Sequence, residues 1–331
     1  MTDRPTLTAE ETARVLLDAE AWTILCHQYP DGDTIGSAFA LCRALQKKGK
    51  RARVLCADVF PEKYAYLTQE VEQDAPEDAA VCAVDVAVCA VDVADPRLLG
   101  DALAEYAARV MLCIDHHMSN TGYAQYTFLR DDAAAAMLVR EVIAAMGVTP
   151  DRLIAEALYT GIATDTGCFK YSNTDARTHR VAADMMDYGV RTDAINRAMF
   201  DVKSRARIEL ERLALAAMTF DFDGRVAMMP ITEEMIRRAG VQENDMEGLA
   251  PIPRQIEGVW VGVTLREKPD GSFKVSVRTG THVNASEVCG LLGGGGHAAA
   301  AGCTLNGPLE EAKQRILSAI AQIKPCIAQE R

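Results

Sequence analysis

Val110-Met111-Leu112-Cys113-Ile114 is an apolar run that ends, without a spacer, in Asp115-His116-His117. Such a run reads as a buried strand. Three ionisable side chains at its end are costly unless they are solvated, paired or bound to a metal. The device recurs: apolar Trp22-Thr23-Ile24-Leu25-Cys26 gives way to His27, Asp31 and Asp33, and an apolar stretch within residues 80–93 ends in Asp92. Strands of this kind alternate with helical patterns over the first half of the chain. That order predicts an α/β fold with a parallel sheet covered on both faces. Such sheets bind ligands beyond the carboxyl ends of their strands, where His27, Asp92 and Asp115-His116-His117 all fall.

Thr8-Ala9-Glu10-Glu11 has the pattern of a capping box and predicts a first helix. The spacing predicts strands at 22–26, 53–57, within 80–93 and at 109–114, a helix from near Thr34 that ends before Gly49, and helices over 134–146 and 151–164. Residues 174–217 read as mostly helical, with Arg205–Arg212 patterned like a solvated linking helix. Beyond them Val226–Met229 reads as a strand, Val259–Arg266 and Phe273–Arg278 as a hairpin around Pro269-Asp270-Gly271, and 309–323 as a closing helix. The expected organisation is a domain over 1–190, a helical linker over 191–220 and a smaller α/β domain over 221–331.

Residues 80–86 and 87–93 are identical copies of Ala-Val-Cys-Ala-Val-Asp-Val. Seven is odd, so the two copies cannot present the same faces within one continuous strand. Either one copy loops out or bulges, or the strand is lengthened ahead of its functional end. Asp85 and Asp92 therefore compete for one role.

Charge and cysteine usage narrow the class. At a formal net charge of −12 the chain is poorly suited to coat long nucleic acid, whose non-specific binding rests on neutralised phosphates. A small anionic substrate remains compatible where the site is locally cationic, as bound metal ions would make it. None of the ten cysteines forms Cys-x-x-Cys, and Cys26, Cys56, Cys82, Cys89 and Cys113 sit in apolar runs as buried thiols do. No apolar run reaches membrane-spanning length, and Met-Thr-Asp-Arg-Pro-Thr has no signal-peptide pattern, so a cytoplasmic protein without a membrane partner is expected. The sequence fixes no oligomeric state; a homodimer is compatible with it.

Four carboxylates (Asp31, Asp33, Asp92 and Asp165, the last within Thr160–Gly167) and two imidazoles (His27 and His116) have the composition of a site for two divalent cations. Read singly, each motif has a plainer alternative, a polar turn or a helix cap. Mixed oxygen and nitrogen donors suit manganese, with cobalt or zinc as alternatives. Paired cations clamp the attacking and leaving oxygens of a phosphoryl displacement and lower the pKa of a water between them. Far along the chain, Gly293-Gly294-Gly295-Gly296-His297 is followed by Ala298–Gly302. Its glycines can expose backbone N–H groups to an anion, and it is not a Walker loop. Arg278, in Ser276-Val277-Arg278, could form a bidentate contact to a phosphate, the plainer alternative being a solvated strand-end arginine.

His27–Ser37, reading HxxPDGDxxGS, together with Asp115-His116-His117, resembles the DHH phosphoesterases. The GGGGHxxAAG run with its preceding SxR resembles their associated C-terminal substrate domain. The resemblance runs from about residue 15 to 320, and the compact size is similar to the NrnA-like group of oligoribonucleases (nanoRNases) and pAp phosphatases. It implies that His27, Asp31, Asp33, Asp92, His116 and Asp165 hold two Mn2+ ions. It implies that His117 contacts the scissile phosphate, with Asp115 orienting the histidine pair or touching a metal weakly. It further implies that Arg278, His297 and Gly294, Gly295 and Gly296 bind the substrate's 5′ phosphate or base, with Arg97 assisting. Asp92 is favoured over Asp85 because Ala94-Asp95-Pro96-Arg97-Leu98 continues as the family pattern does.

The expected activity is manganese-dependent hydrolysis of short 5′-phosphorylated oligonucleotides, dinucleotides above all, with pAp 3′-phosphatase activity beside it. Hydrolysis of linear cyclic-dinucleotide products (pApA, pGpG) is the alternative within the same chemistry. A nucleotide-binding sensor without turnover is the alternative outside it.

Overall fold

The computed structural model describes residues 6–69, 86–241, 246, 248–325 and 327. The chain divides into two compact units, one up to Val202 and one from Lys203.

The first unit is built on a five-stranded, all-parallel sheet. In chain order its elements are α1 (Ala9–Asp18), β1 (Ala21–Leu25), α2 (Gly32–Lys47), β2 (Arg51–Leu55), α3 (Ala65–Thr68), β3 (Ala87–Val91), α4 (Ala104–Ala107), β4 (Val110–Asp115), β5 (Tyr126–Leu129), α5 (Ala135–Ala145), α6 (Arg152–Asp165), α7 (Ala176–Asp187) and α8 (Thr192–Asn196). The strand order is β2-β1-β3-β4-β5. The capping box at Thr8 forms, with the Glu11 amide donating to Thr8 Oγ1 and the Thr8 amide donating to Glu11 Oε2.

Side chains alternate across the sheet as strand geometry requires. Ile24, Cys89, Val91, Leu112 and Ile114 enter one core with Leu16, Phe39, Val139 and Leu158 from the helices. Leu25, Val88, Ala90 and Cys113 enter a second core with Leu99 and Leu103. Both faces are thus covered, which is why the strands read as continuous apolar runs. β3 lies wholly in the second copy of the seven-residue duplication; Asp85 and Cys82, in the first copy, lie outside the described residues. Pairing of β3 with β4 slips by one residue, Val88 facing Val110 but Cys89 facing Leu112, so Met111 is extra on β4. β5 has no counterpart among the expected strands, because four residues are too short a run to register a period.

α2 and α6 cross at backbone contact. A Cβ on Gly36 would lie 2.2 Å from the carbonyl oxygen of Ala157, and one on Gly32 would lie 2.4 Å from Thr164 Oγ1. A Cβ on Gly161 would lie 2.7 Å from both Ala136 Cβ and Asp33 Oδ1. This crossing brings the start of α2, with Asp31 and Asp33, to the end of α6, with Asp165. Gly36→Ala is therefore expected to destabilise the protein by about 3 kcal/mol, as overpacking of a tight core does. That is a fall in thermal midpoint on the order of 10 °C for a unit this size. Calorimetry checks it, and an unchanged midpoint would mean that the helices tolerate a wider crossing.

The second unit contains α9 (Arg205–Ala216), β6 (Thr219–Asp221), β7 (Val226–Ile231), α10 (Glu233–Ala239), β8 (Val261–Glu267), β9 (Phe273–Thr279), α11 (Ala285–Leu291), β10 (Gly295–Gly296), β11 (Ala300–Leu305) and α12 (Leu309–Ile323). Its mixed sheet runs β10-β11-β9-β8-β7-β6. β8 and β9 form the expected hairpin, with Gly271 at φ +79° in the turn. α9 is not simply solvated: Leu210 and Ala214 pack with Met229, Ile231 and Leu249. Its polar residues misled because Arg207, 6% exposed, is neutralised by Glu211 one turn on, Nε to Oε1 2.9 Å. The cysteines among the described residues are all free thiols, and most are buried. No helix among the described residues is long and apolar enough to cross a membrane.

Candidate metal and phosphate site

At the carboxyl edge of the parallel sheet, His27 follows β1, Asp92 follows β3, and Asp115 closes β4 with His116 and His117 behind it. Asp31 and Asp33 stand at the start of α2, and Asp165 ends α6. The ligand atoms fall into three overlapping groups, His27/Asp31/Asp92, Asp33/His116/Asp165 and Asp92/His116/His117, each with its atoms within 4.8 Å of one another; the first two share no residue and form two adjacent triads. Asp92 turns one oxygen toward each triad: Oδ2 is 3.8 Å from His27 Nε2 and Oδ1 is 3.4 Å from His116 Nε2. His116 Nε2 also lies 3.8 Å from Asp165 Oδ2 and 4.0 Å from Asp33 Oδ2. These separations exceed normal hydrogen-bond length. Asp92 is held at φ 62°, a left-handed conformation that aspartate adopts more readily than most non-glycine residues.

Two buried polar atoms here have no hydrogen-bond partner, Asp92 Oδ1 and His116 Nε2. Nearly all buried polar groups find a partner, so an orphaned acceptor beside an orphaned imidazole nitrogen calls for an explanation. Among the described residues no lysine or arginine pairs with Asp31, Asp33, Asp92 or Asp165, although Asp33 is 1% and Asp92 4% exposed. The electrostatics carry the same mark. Burial, then the charge of Asp33, pushes the Asp92 carboxyl up to about 8. Burial and Asp33 likewise lift Asp165 to about 7. Burial opposes the His116 cation, but the close approach and charge of Asp92 and the charge of Asp33 outweigh it and raise it to about 10. Each shift expresses a deficit of positive charge. A donor set of four carboxylates and two imidazoles fits divalent cations of the manganese type.

The remaining atoms of these side chains are fixed by the fold. Asp31 caps its own helix, Oδ1 accepting from the amides of Asp33 and Thr34 at 3.0 and 3.2 Å. Asp33 caps a different helix: Ala135 N donates to Oδ2 at 2.6 Å and Ala136 N to Oδ1 at 3.0 Å. Position Ala134 supplies α5 with no cap of its own. The plainer reading of both aspartates as caps is thus correct for part of each carboxylate, and each keeps lone pairs to spare. Asp115 is fully buried and accepts from His117 Nδ1 at 2.8 Å, the His117 amide at 3.2 Å and Asn120 Nδ2 at 2.6 Å. With its Nδ1 so engaged, His117 (half exposed) has Nε2 left for a ligand. His116 Nδ1 lies 3.0 Å from the Asp132 carbonyl, which fixes the tautomer that leaves Nε2 as the acceptor facing the acids.

Sequence reasoning missed the residues that hold these groups. Asp132 accepts from Arg130 (Nη2 2.8 Å) and Arg177 (Nη1 2.6 Å), and both arginines also bond Glu141. Asn173 donates to the carbonyls of Ala133 and Asp165 at 3.0 and 3.2 Å. The segment 132–136 therefore steadies His116, Asp33 and the end of α6 together. Its partners lie up to 103 residues apart in the chain, beyond any local pattern. Of these residues only Asn120, three positions after His117, lay within range of a motif.

Not every expected site residue joins the cluster. Arg97 lies flat against Asp95 with two 2.8 Å contacts, its side chain 88% exposed. Arg278 and the glycine run lie in the second unit. There β10 pairs Gly295 with Gly302 and Gly296 with Ala301, and β9 places Arg278 opposite Ala300. A Cβ on Gly294 would lie 2.2 Å from the Gly302 carbonyl oxygen, and Gly296 sits at φ +146°. His297 is exposed and exchanges backbone bonds with Ala300 at 2.8 and 3.2 Å.

Residues 22–162 match the DHH family, N-terminal domain, and residues 224–324 match the DHHA1 domain. The chain is 34% identical over 308 residues to the bifunctional oligoribonuclease and PAP phosphatase NrnA of Thermus thermophilus, covering 90% of this chain and 89% of that protein. Its fold superposes on an exopolyphosphatase-related protein of Bacteroides fragilis with a TM-score of 0.86 at 24% identity, over 97% of this chain and 98% of that one. RecJ of Thermus thermophilus in complex with Mn2+ shares the fold more distantly, at a TM-score of 0.56 and 14% identity, over 96% of this chain and 55% of that one. The motifs, the parallel sheet with its carboxyl-edge cluster and these matches agree: the chain belongs to the DHH family of phosphoesterases.

Proposed function

We propose that this protein hydrolyses short 5′-phosphorylated oligonucleotides, dinucleotides above all, to mononucleotides, removes the 3′-phosphate of pAp, and works in the cytoplasm. The observation that carries the reading is Asp92, buried and partnerless on Oδ1 at the junction of the two triads. His27, Asp31 and Asp92 would hold one Mn2+ ion and Asp33, His116 and Asp165 the other, with Asp92 shared. Bound there, two such cations supply Lewis-acid polarisation of phosphoryl oxygens and a lowered pKa for water.

The protein's own groups do the rest. Asp115 fixes the His117 ring through Nδ1, so that Nε2 is presented to a phosphoryl oxygen with little reorganisation. The arginine-clamped segment 132–136 keeps His116 and Asp33 in place. In the second unit, Arg278, His297 and the amides of Gly294, Gly295 and Gly296 would hold the far phosphate or base. A molecule with a net charge of −12 favours short substrates over long polyanions. The similarity to the Thermus oligoribonuclease and PAP phosphatase supports the same substrate class.

The test is a side-by-side turnover panel with Mn2+ over pAp, pApA, pGpG and RNA of two to ten nucleotides. Dinucleotides and pAp are expected to be cleaved, with rates falling as the chain lengthens, and chelation should stop turnover. Binding of dinucleotides without turnover would replace an enzyme by a sensor. A preference for long strands would overturn the substrate class.

A further inference from the structure

One arginine of the second unit lacks the partner that its surroundings demand. Arg254 lies in a short turn, Ile252–Gln255, laid over the hairpin. It is half-buried, its Nε is buried with no hydrogen-bond partner, and no carboxylate pairs with it among the described residues. A buried guanidinium N–H left without an acceptor is costly. It is odd in a chain with 47 acids against 35 bases. Arg207, buried in the same unit, has Glu211.

The sheet makes room for Arg254. A Cβ on Gly262 would lie 2.5 Å from the Arg254 amide nitrogen, and one on Gly280 would lie 2.6 Å from Arg254 Nη2. Gly262 stands directly opposite Arg278, so their side-chain directions share one face of the sheet. Val261, Val263, Val275 and Val277 point to the other face, into the core. On the Arg254 face the register continues through Ser276 to Gly302 and from Gly302 to Gly295. Gly295 is exposed, has no positive φ, and a Cβ there would meet nothing within 4 Å. The fold thus gives no reason for glycine at 295; close approach of a ligand does. The face combines a bare backbone floor with Arg254 beside it and Arg278 at the neighbouring register position, Arg278 Nη1 donating to the Val277 carbonyl at 3.1 Å.

We propose that Arg254 acts with Arg278 as a two-guanidinium clamp for a phosphomonoester, the terminal 5′-phosphate of the substrate. No motif marks Arg254; in the second unit the sequence features implicated Arg278, His297 and the glycines, and in the first unit Arg97. Arginine's planar fork suits a tetrahedral dianion, and two forks can neutralise both of its charges.

The proposal rests on the dinucleotide reading above, and its test separates the two. Calorimetric binding of pApA and of ApA, which lacks the 5′-phosphate, is measured on chelated full-length protein for wild type, Arg254→Met and Arg254→Lys. Wild type is expected to bind pApA at least about 10-fold more tightly than ApA. Arg254→Met should erase most of that preference while binding ApA within twofold of wild type, and Arg254→Lys should keep part of it. Retention of the preference in Arg254→Met overturns the role of Arg254. Equal weakening for both ligands marks it as structural support and also overturns it. Absence of the preference in wild type overturns the clamp. Failure of Mn2+-loaded wild type to hydrolyse pApA would instead sink the catalytic reading and leave the clamp judged by binding alone.

Discussion

Asp92→Asn is expected to lower turnover by at least about 10^3 and to remove the stabilisation that Mn2+ confers, while metal-free protein stays at least as stable as wild type. Substitution in the shell outside a metal typically costs about 10–100-fold in affinity or activity, and a carboxylate shared by both triads should cost more. The backbone does not confound the change. Asp92 sits at φ 62°, and asparagine, like aspartate, visits the left-handed region at little cost. Without metal, the wild-type carboxylate is buried against Asp33, which is why its pKa rises to about 8. The amide removes that like-charge contact, so the metal-free fold loses nothing. Saturating wild type at about 100 times Kd should add about 2.7 kcal/mol of stability. That is a rise in thermal midpoint on the order of 5–10 °C, and the variant should lack it. Scanning calorimetry with and without Mn2+, beside pApA turnover, measures both. A variant still stabilised by Mn2+ to the wild-type extent would place the metal elsewhere.

The site was legible in the sequence where chemistry and local order coincide. His27, Asp31 and Asp33 lie within one seven-residue stretch, and Asp115-His116-His117 is contiguous, so an apolar run ending in ionisable groups exposed both. The parallel sheet was legible for the same reason: strands buried on two faces leave long apolar runs. Within the perfect duplication Asp85 and Asp92 are indistinguishable, and only the Ala94-Asp95-Pro96-Arg97-Leu98 continuation favoured Asp92. What remained hidden acts at a distance. Asp33 caps α5 about 100 residues away, and Arg177 clamps Asp132 across 45. Neither has a local signature, since each partner is an ordinary polar residue in its own neighbourhood. Arg254 was hidden differently: its significance lies in a missing partner, and a sequence does not record absences in space.

Asp115→Asn should separate positioning from metal binding. Asp115 receives three donors in a fully buried setting, two from His117 and one from Asn120. An amide has only one accepting end. If its oxygen faces His117, its NH2 confronts that of Asn120; if it turns the other way, His117 Nδ1–H loses its acceptor and the ring tautomer and tilt are released. Either outcome leaves a buried donor unsatisfied, costing about 1–3 kcal/mol. A histidine deprived of its orienting carboxylate loses about 10^2–10^4 in kcat, and a fall of that size is expected here with little change in KM. Mn2+ affinity should stay within about tenfold of wild type, because the two triads keep all six of their members. The double variant Asp115→Asn/His117→Asn should be no slower than His117→Asn alone, since Asp115 acts through that ring. His117 Nδ1 also lies 3.5 Å from Asp92 Oδ1, so a ligand role for His117 is a concrete rival. Under that rival, Asp115→Asn would weaken Mn2+ binding as severely as Asp92→Asn, and titration of manganese into the two variants decides between them.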